Sequence, residues 1–155
     1  MHFVGIDLAW GERKPTGLAV LDADGALVHL SAATDDASIV EVLAPYVRGR
    51  CLVALDAPLV VTNPTGNRPC EAELNRDFRR FEAGAHPANT GKPEFAGRPR
   101  GARLAEALGV ALAPSRSRRR AIEVYPHAAT VALFRLGRTL KYKNKPGRSL
   151  PEMQA

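Results

Sequence analysis

The sequence predicts an α/β domain built on a mixed sheet, three antiparallel strands followed by parallel ones, with helices between them. Three observations carry this. Residues 1 to 30 hold three short apolar runs separated by turn-forming residues. A helical periodicity begins after Thr34, and a fourth apolar run at 51–56 closes against Pro58. A strand, a crossover helix and a further strand in one sheet make a parallel pair.

The first strand is read at Phe3–Leu8, the second at Gly17–Asp22 and the third at Ala26–Leu30, with Asp24-Gly25 as the hairpin signal between the last two. The polar connection from Gly11 to Thr16 makes the first two strands an antiparallel pair as well. Thr34 is the expected N-cap of a helix with Asp35 and Asp36 in its first turn, where acidic groups meet the positive helix end. Ile39, Val40, Val42, Leu43 and Val47 supply its apolar face. After the strand at 51–56 comes a loop at 62–69, a polar helix at 70–81 and a long irregular arm at 84–101. Compact domains keep arms of that length for a functional reason. A helix at 102–111, the cluster Arg116–Arg120, a strand at 121–125 and a helix at 127–137 follow, then a basic mobile segment, Lys141–Arg148. We read residues 1–155 as one domain with a loop and helix insertion at about 61–118. Leu150–Ala155 resembles the opening of a helix, so the chain is expected to lack a C-terminal portion.

A chain of 155 residues suits one hydrophobic core, and no run of about 18 apolar residues or signal-peptide pattern is present. A cytoplasmic protein is expected, not a membrane one. Cys51 and Cys70 lack CxxC spacing and read as reduced thiols rather than a zinc site. The net charge of +6 is unevenly spread: residues 1–60 sum to −4 and residues 61–155 to +10. Acidic groups set in strands beside a basic remainder suit a metal-dependent enzyme acting on a polyanion, though ordinary surface charge gives the same balance.

Asp7 interrupts one apolar run and Asp56 ends another. A carboxylate in such a place must be paired, metal-bound or at a strand mouth, because burying it alone costs several kcal/mol, roughly. Magnesium and manganese prefer carboxylate oxygens, and a carboxylate pair on adjacent strand ends is a way to hold them. Glu123, in the strand at 121–125, is the third candidate, with a solvent-facing position as the alternative. For Asp7 and Asp56 the alternatives are a satisfied structural carboxylate and a turn cap.

Gly5-Ile6-Asp7-Leu8-Ala9-Trp10 with Thr16-Gly17-Leu18-Ala19, then Ala54-Leu55-Asp56-Ala57-Pro58-Leu59, Arg68-Pro69-Cys70-Glu71 and Ile122-Glu123-Val124-Tyr125-Pro126-His127-Ala128, together resemble the family called domain of unknown function 429. The resemblance covers almost the whole chain in order. It implies an RNase H-like fold and a nuclease: a hydrolase cleaving phosphodiesters with Mg²⁺ or Mn²⁺ on Asp7 and Asp56. It also implies a longer chain with acidic residues on a C-terminal helix beside the first strand; without that cover, exposed apolar surface would drive self-association.

Nucleic acid is the expected partner. Arg116, Arg118, Arg119 and Arg120 read as a phosphate-holding cluster or a basic loop. Trp10 reads first as core and second as a stacking platform. Glu71 reads as a favourable charge at a helix start or as a site residue, and His127 as a local hydrogen-bonding group or a proton carrier. Two other functions share this pattern. One is a nucleic-acid-binding module without catalysis. The other is an actin-like or sugar-kinase-like phosphate site at Asp7 and Thr16-Gly17, which would need a second domain to close over its nucleotide.

Overall fold

Strand pairing organises the first part of the chain. The structure, a computed structural model, describes residues 1–10 and 14–140; the turn at Gly11–Arg13, the basic segment Lys141–Arg148 and the helix opening at Leu150–Ala155 lie outside the described residues. The described residues divide into two compact units: one from Met1–Thr65 and Ala88–Val124, the other from Gly66–Pro87 and Tyr125–Leu140. The segment expected as one insertion at 61–118 is therefore shared between them.

The first unit holds a six-stranded sheet, order β3-β2-β1-β4-β6-β5. Its strands are β1 His2–Asp7, β2 Thr16–Leu21, β3 Leu27–Ala33, β4 Cys51–Leu55, β5 Ala111–Leu112 and β6 Arg119–Glu123. As the sequence led one to expect, β2 pairs antiparallel with both β1 and β3, and β4 runs parallel to β1; β5 and β6 continue the parallel side. The β2–β3 turn uses Asp24-Gly25, with Gly25 at φ +84°, a conformation glycine adopts without strain. The Asp22 carboxylate accepts the amides of Asp24 and Ala26, both at 2.9 Å, and closes the turn.

Alternation fixes which side chains face inward. Val4 and Ile6 of β1, Thr16, Leu18 and Val20 of β2, and Cys51, Val53 and Leu55 of β4 are all buried on one face. Helix α1, Asp36–Val47, packs Ile39, Leu43 and Val47 into the same core, and α3, Arg100–Ala107, adds Leu104 and Ala105. The N-cap of α1 is Asp35 rather than Thr34, since its carboxylate takes both the amide and the hydroxyl of Ser38, at 2.9 and 2.8 Å. Those bonds hold the Asp35 carboxyl below its ordinary range.

The second unit has its own small core, Ala83, Ala128 and Val131, with Leu74, Phe78, Phe81, Tyr125 and Leu136 against it. It contains α2, Pro69–Phe78, and α4, Pro126–Phe134. Tyr125 Oη donates to Gly84 O at 2.8 Å, and the Thr139 amide to Phe81 O at 2.8 Å. Among the described residues no helix is long and apolar enough to cross a membrane.

Candidate carboxylate site

The parallel pair β1–β4 determines where the carboxylates go. Ile6 lies opposite Leu55, and the Asp56 amide donates to Ile6 O at 2.9 Å, so Asp7 and Asp56 are the next residues on two adjacent strands. Ile6 and Leu55 point into the core. Their successors therefore project from the opposite face, on strands about 5 Å apart. Asp7 is exposed and Asp56 half-buried. Asp7 stands at the mouth of its strand, where exposure relieves the cost of burial. Across from Asp7 on β2 is Gly17, where even an added Cβ would stand 3.7 Å from the Asp7 Cβ, so no side chain covers the carboxylate from that strand.

Glu123 is placed differently. It lies opposite Leu55, out of phase with Asp56, and is exposed, which is the solvent-facing alternative. Its Oε2 accepts the Leu59 amide at 2.9 Å. Glu123 thus fastens the loop that follows Asp56. The same loop is gripped from α3: a Cβ on Gly101 would meet Leu59 Cδ2 at 2.9 Å and Ala57 Cβ at 3.2 Å, so only glycine lets the helix approach so closely.

A pocket of about 80 Å³ opens beside Asp56. The end of β1 contributes Leu8, Ala9 and Trp10; Ala57 and Pro58 extend the wall from β4. Glu94, Phe95 and Arg100 close it from the arm that the sequence left irregular, where Pro93–Phe95 form a short 3-10 turn. Trp10, read first as core, is 68% exposed and sits edge-on to Phe95 with ring centroids 5.8 Å apart. Arg100 ties the wall together: Nε donates to Asp36 Oδ1 at 2.9 Å and Nη1 to Ala9 O at 2.8 Å. Thr16, fully buried, accepts the Ala9 amide at 3.2 Å. Sequence reasoning missed Glu94, Phe95 and Arg100; the length of the arm pointed to the segment but not to these residues.

The arginine cluster does not border the carboxylates. Arg119 pairs with Cys51 at the start of β4, whereas Asp56 follows its end, so the two sets stand at opposite edges of the sheet, about 16 Å apart at 3.3 Å per residue. Arg116 and Arg118 are exposed, Arg119 and Arg120 half-buried, and Arg119 Nη2 donates to Leu108 O at 2.8 Å. Glu71 and His127 belong to the second unit. Glu71 is 4% exposed and closes a capping box with Arg68, taking its amide at 2.9 Å and its Nε at 2.8 Å. Glu71 thus lies in the first turn of α2, as the sequence predicts, buried there with its ion pair to Arg68. His127 Nδ1 is 2.9 Å from Thr139 Oγ1, a side-chain contact to a residue twelve positions on.

Two aspartates match the donor chemistry of magnesium, which keeps several waters and takes one or two carboxylates from a protein. A larger set is not formed: among the described residues no three His, Cys, Asp or Glu side chains are grouped to hold a metal ion. The fold and site define a mixed-sheet α/β protein whose carboxyl edge carries an aspartate pair beside an aromatic-walled pocket. The family described as "Protein of unknown function (DUF429)" matches residues 5–151, and the chain belongs to it. Searches of curated proteins and of solved structures gave no match.

Proposed function

We propose that the chain is a metal-dependent nuclease of RNase H-like type, a hydrolase of phosphodiesters in which Asp7 and Asp56 hold Mg²⁺ or Mn²⁺. The observation that carries this is the placement of the two aspartates as neighbours on one face at the carboxyl edge of β1 and β4. The order β3-β2-β1-β4, antiparallel and then parallel, supports the RNase H-like reading. When bound, the ion supplies charge neutralisation at the phosphate and a more acidic water. Asp7 offers its oxygens at the open mouth beside Gly17. Asp56 is held by its amide on Ile6 and by the loop behind it. Glu123 acts through the Leu59 amide as a positioning residue. We propose the cytoplasm as its setting, which suits the free thiols of Cys51 and Cys70.

The test is incubation of labelled single-stranded, duplex and hybrid nucleic acids in Mn²⁺ with the wild type, Asp7→Asn and Asp56→Asn. Cleavage lost in both variants, with their melting unchanged, is the expected result. Cleavage that survives in both removes the pair from the chemistry. The absence of a three-residue metal group among the described residues favours a second reading, a nucleic-acid-binding module without catalysis. Binding in EDTA with no cleavage in Mn²⁺ would select it.

A further inference from the structure

We propose that the pocket beside Asp56 receives one unstacked nucleobase, which makes the substrate single-stranded nucleic acid or a base swung out of a helix. This deepens the nucleic-acid reading above and rests on it. At about 80 Å³ the pocket is on the scale of a single planar ring system rather than a whole nucleotide.

Its walls are chemically matched to a base. Trp10 is exposed yet backed by the edge contact to Phe95, and Phe95 is itself buried with Val61 and Ala88, so the indole stands on a fixed support. A supported, solvent-accessible indole is a stacking surface for any base. The polar groups then decide what cannot enter. Asp56 and Glu94 bring two carboxylates to the pocket, while its cation, Arg100, is engaged by Asp36 and Ala9. Without a metal ion, as in EDTA, a phosphate would meet net negative charge there. An exocyclic amino group would instead donate to a carboxylate, as cytosine N4 does to Glu or Asp. The base therefore goes in and its phosphate stays out, towards the strand that carries Asp7. Bases with amino groups are favoured over thymine or uracil.

Trp10 is the only tryptophan in the chain, so its emission reports on this pocket alone. The experiment titrates the protein in EDTA with a short oligodeoxycytidine, an abasic strand of the same length and a blunt duplex. Saturable quenching by the oligodeoxycytidine, with little from the abasic strand or the duplex, is expected. Trp10→Ala should weaken binding of a labelled oligodeoxycytidine by roughly tenfold in anisotropy, and Trp10→Phe should restore most of it. Glu94→Gln, at an exposed position, should narrow the preference for oligodeoxycytidine over oligothymidine. Unchanged Trp10 emission, or equal affinity for the base-bearing and abasic strands, overturns the proposal. Quenching without cleavage in Mn²⁺ keeps the base pocket and removes the nuclease. Asp7-dependent cleavage without quenching does the reverse.

Discussion

Gly101→Ala is the substitution that tests how Asp56 is positioned. In a helix, replacing glycine by alanine normally gains up to about 1 kcal/mol. Here the new Cβ would stand 2.9 Å from Leu59 Cδ2, 3.2 Å from Ala57 Cβ and 3.3 Å from Pro58 O. Carbon atoms pack best at about 3.5–4.0 Å, so the helix and the loop must separate by roughly half an ångström or more. The loop cannot yield freely, because Leu59 is buried and its amide is fastened to Glu123. Overpacking of this kind costs about 1–3 kcal/mol, which exceeds the propensity gain. A net loss of about 1 kcal/mol lowers the melting temperature by roughly 2–4 °C in a domain of this size. The assay is thermal and urea unfolding of Gly101→Ala beside Gly97→Ala, whose Cβ would meet nothing within 4 Å. Gly97→Ala should be neutral or slightly stabilising. A Gly101→Ala protein as stable as wild type would refute the tight approach of α3 to the Asp56 loop.

Three other outcomes are expected. Thr16→Val removes the acceptor of the Ala9 amide and should cost about 1–3 kcal/mol in urea unfolding, since the hydroxyl is fully buried. With a thiol reagent near pH 8, Cys70 should react at once and Cys51 only on unfolding. Burial pushes the Cys51 thiol up although Arg119 pulls it down, and Cys70 is exposed. Asp35→Asn keeps a capping side chain but removes the charge. The Asp35 carboxyl is held low by Ser38, so the folded state binds fewer protons than the unfolded one in acid. That stabilisation is present above the ordinary carboxyl range and lost as pH falls through the folded value, so the variant should show a shallower loss of melting temperature on acidification below about pH 4.

Period-two patterns made β1, β2 and β4 legible, and Asp24-Gly25 marked the hairpin. Where the sequence misled, competing groups of equal local merit decided the outcome. Thr34 and Asp35 are both competent caps, and only the two bonds from Ser38 favour Asp35. β5 is two residues long and has no periodicity to read. β6 starts at Arg119, two residues earlier than expected, because the ladder continues opposite Cys51 and Leu52 and half-buried arginine stems serve as strand residues. α3 starts at Arg100, with Pro99 as its N-cap, and not at 102. At the site, Asp7 and Asp56 could be named because each breaks an apolar run. The pocket could not, since Phe95 and Arg100 reach Trp10 and Ala9 across more than eighty residues. Nor could the separation of the arginines from the carboxylates, which follows from strand direction.

The outer strand β3 carries Leu27, Val28 and Leu30 in solvent at one end of the sheet. An apolar strand with an open ladder is a template for another strand, and natural sheets commonly blunt such edges with lysine, proline or a bulge. The irregularity between Val20 and Leu21 is the one interruption along its ladder with β2, and β3 itself bears no lysine or proline. Among the described residues, the protection left to this edge is long-range repulsion between copies of net charge +6. Such repulsion reaches only about 10 Å at 0.1 M salt and about 3 Å at 1 M. Concentrated salt, ordinarily a benign condition for handling a basic protein, is thus the condition under which we expect this chain to thicken into oligomers, with a dilute low-salt buffer keeping it dispersed.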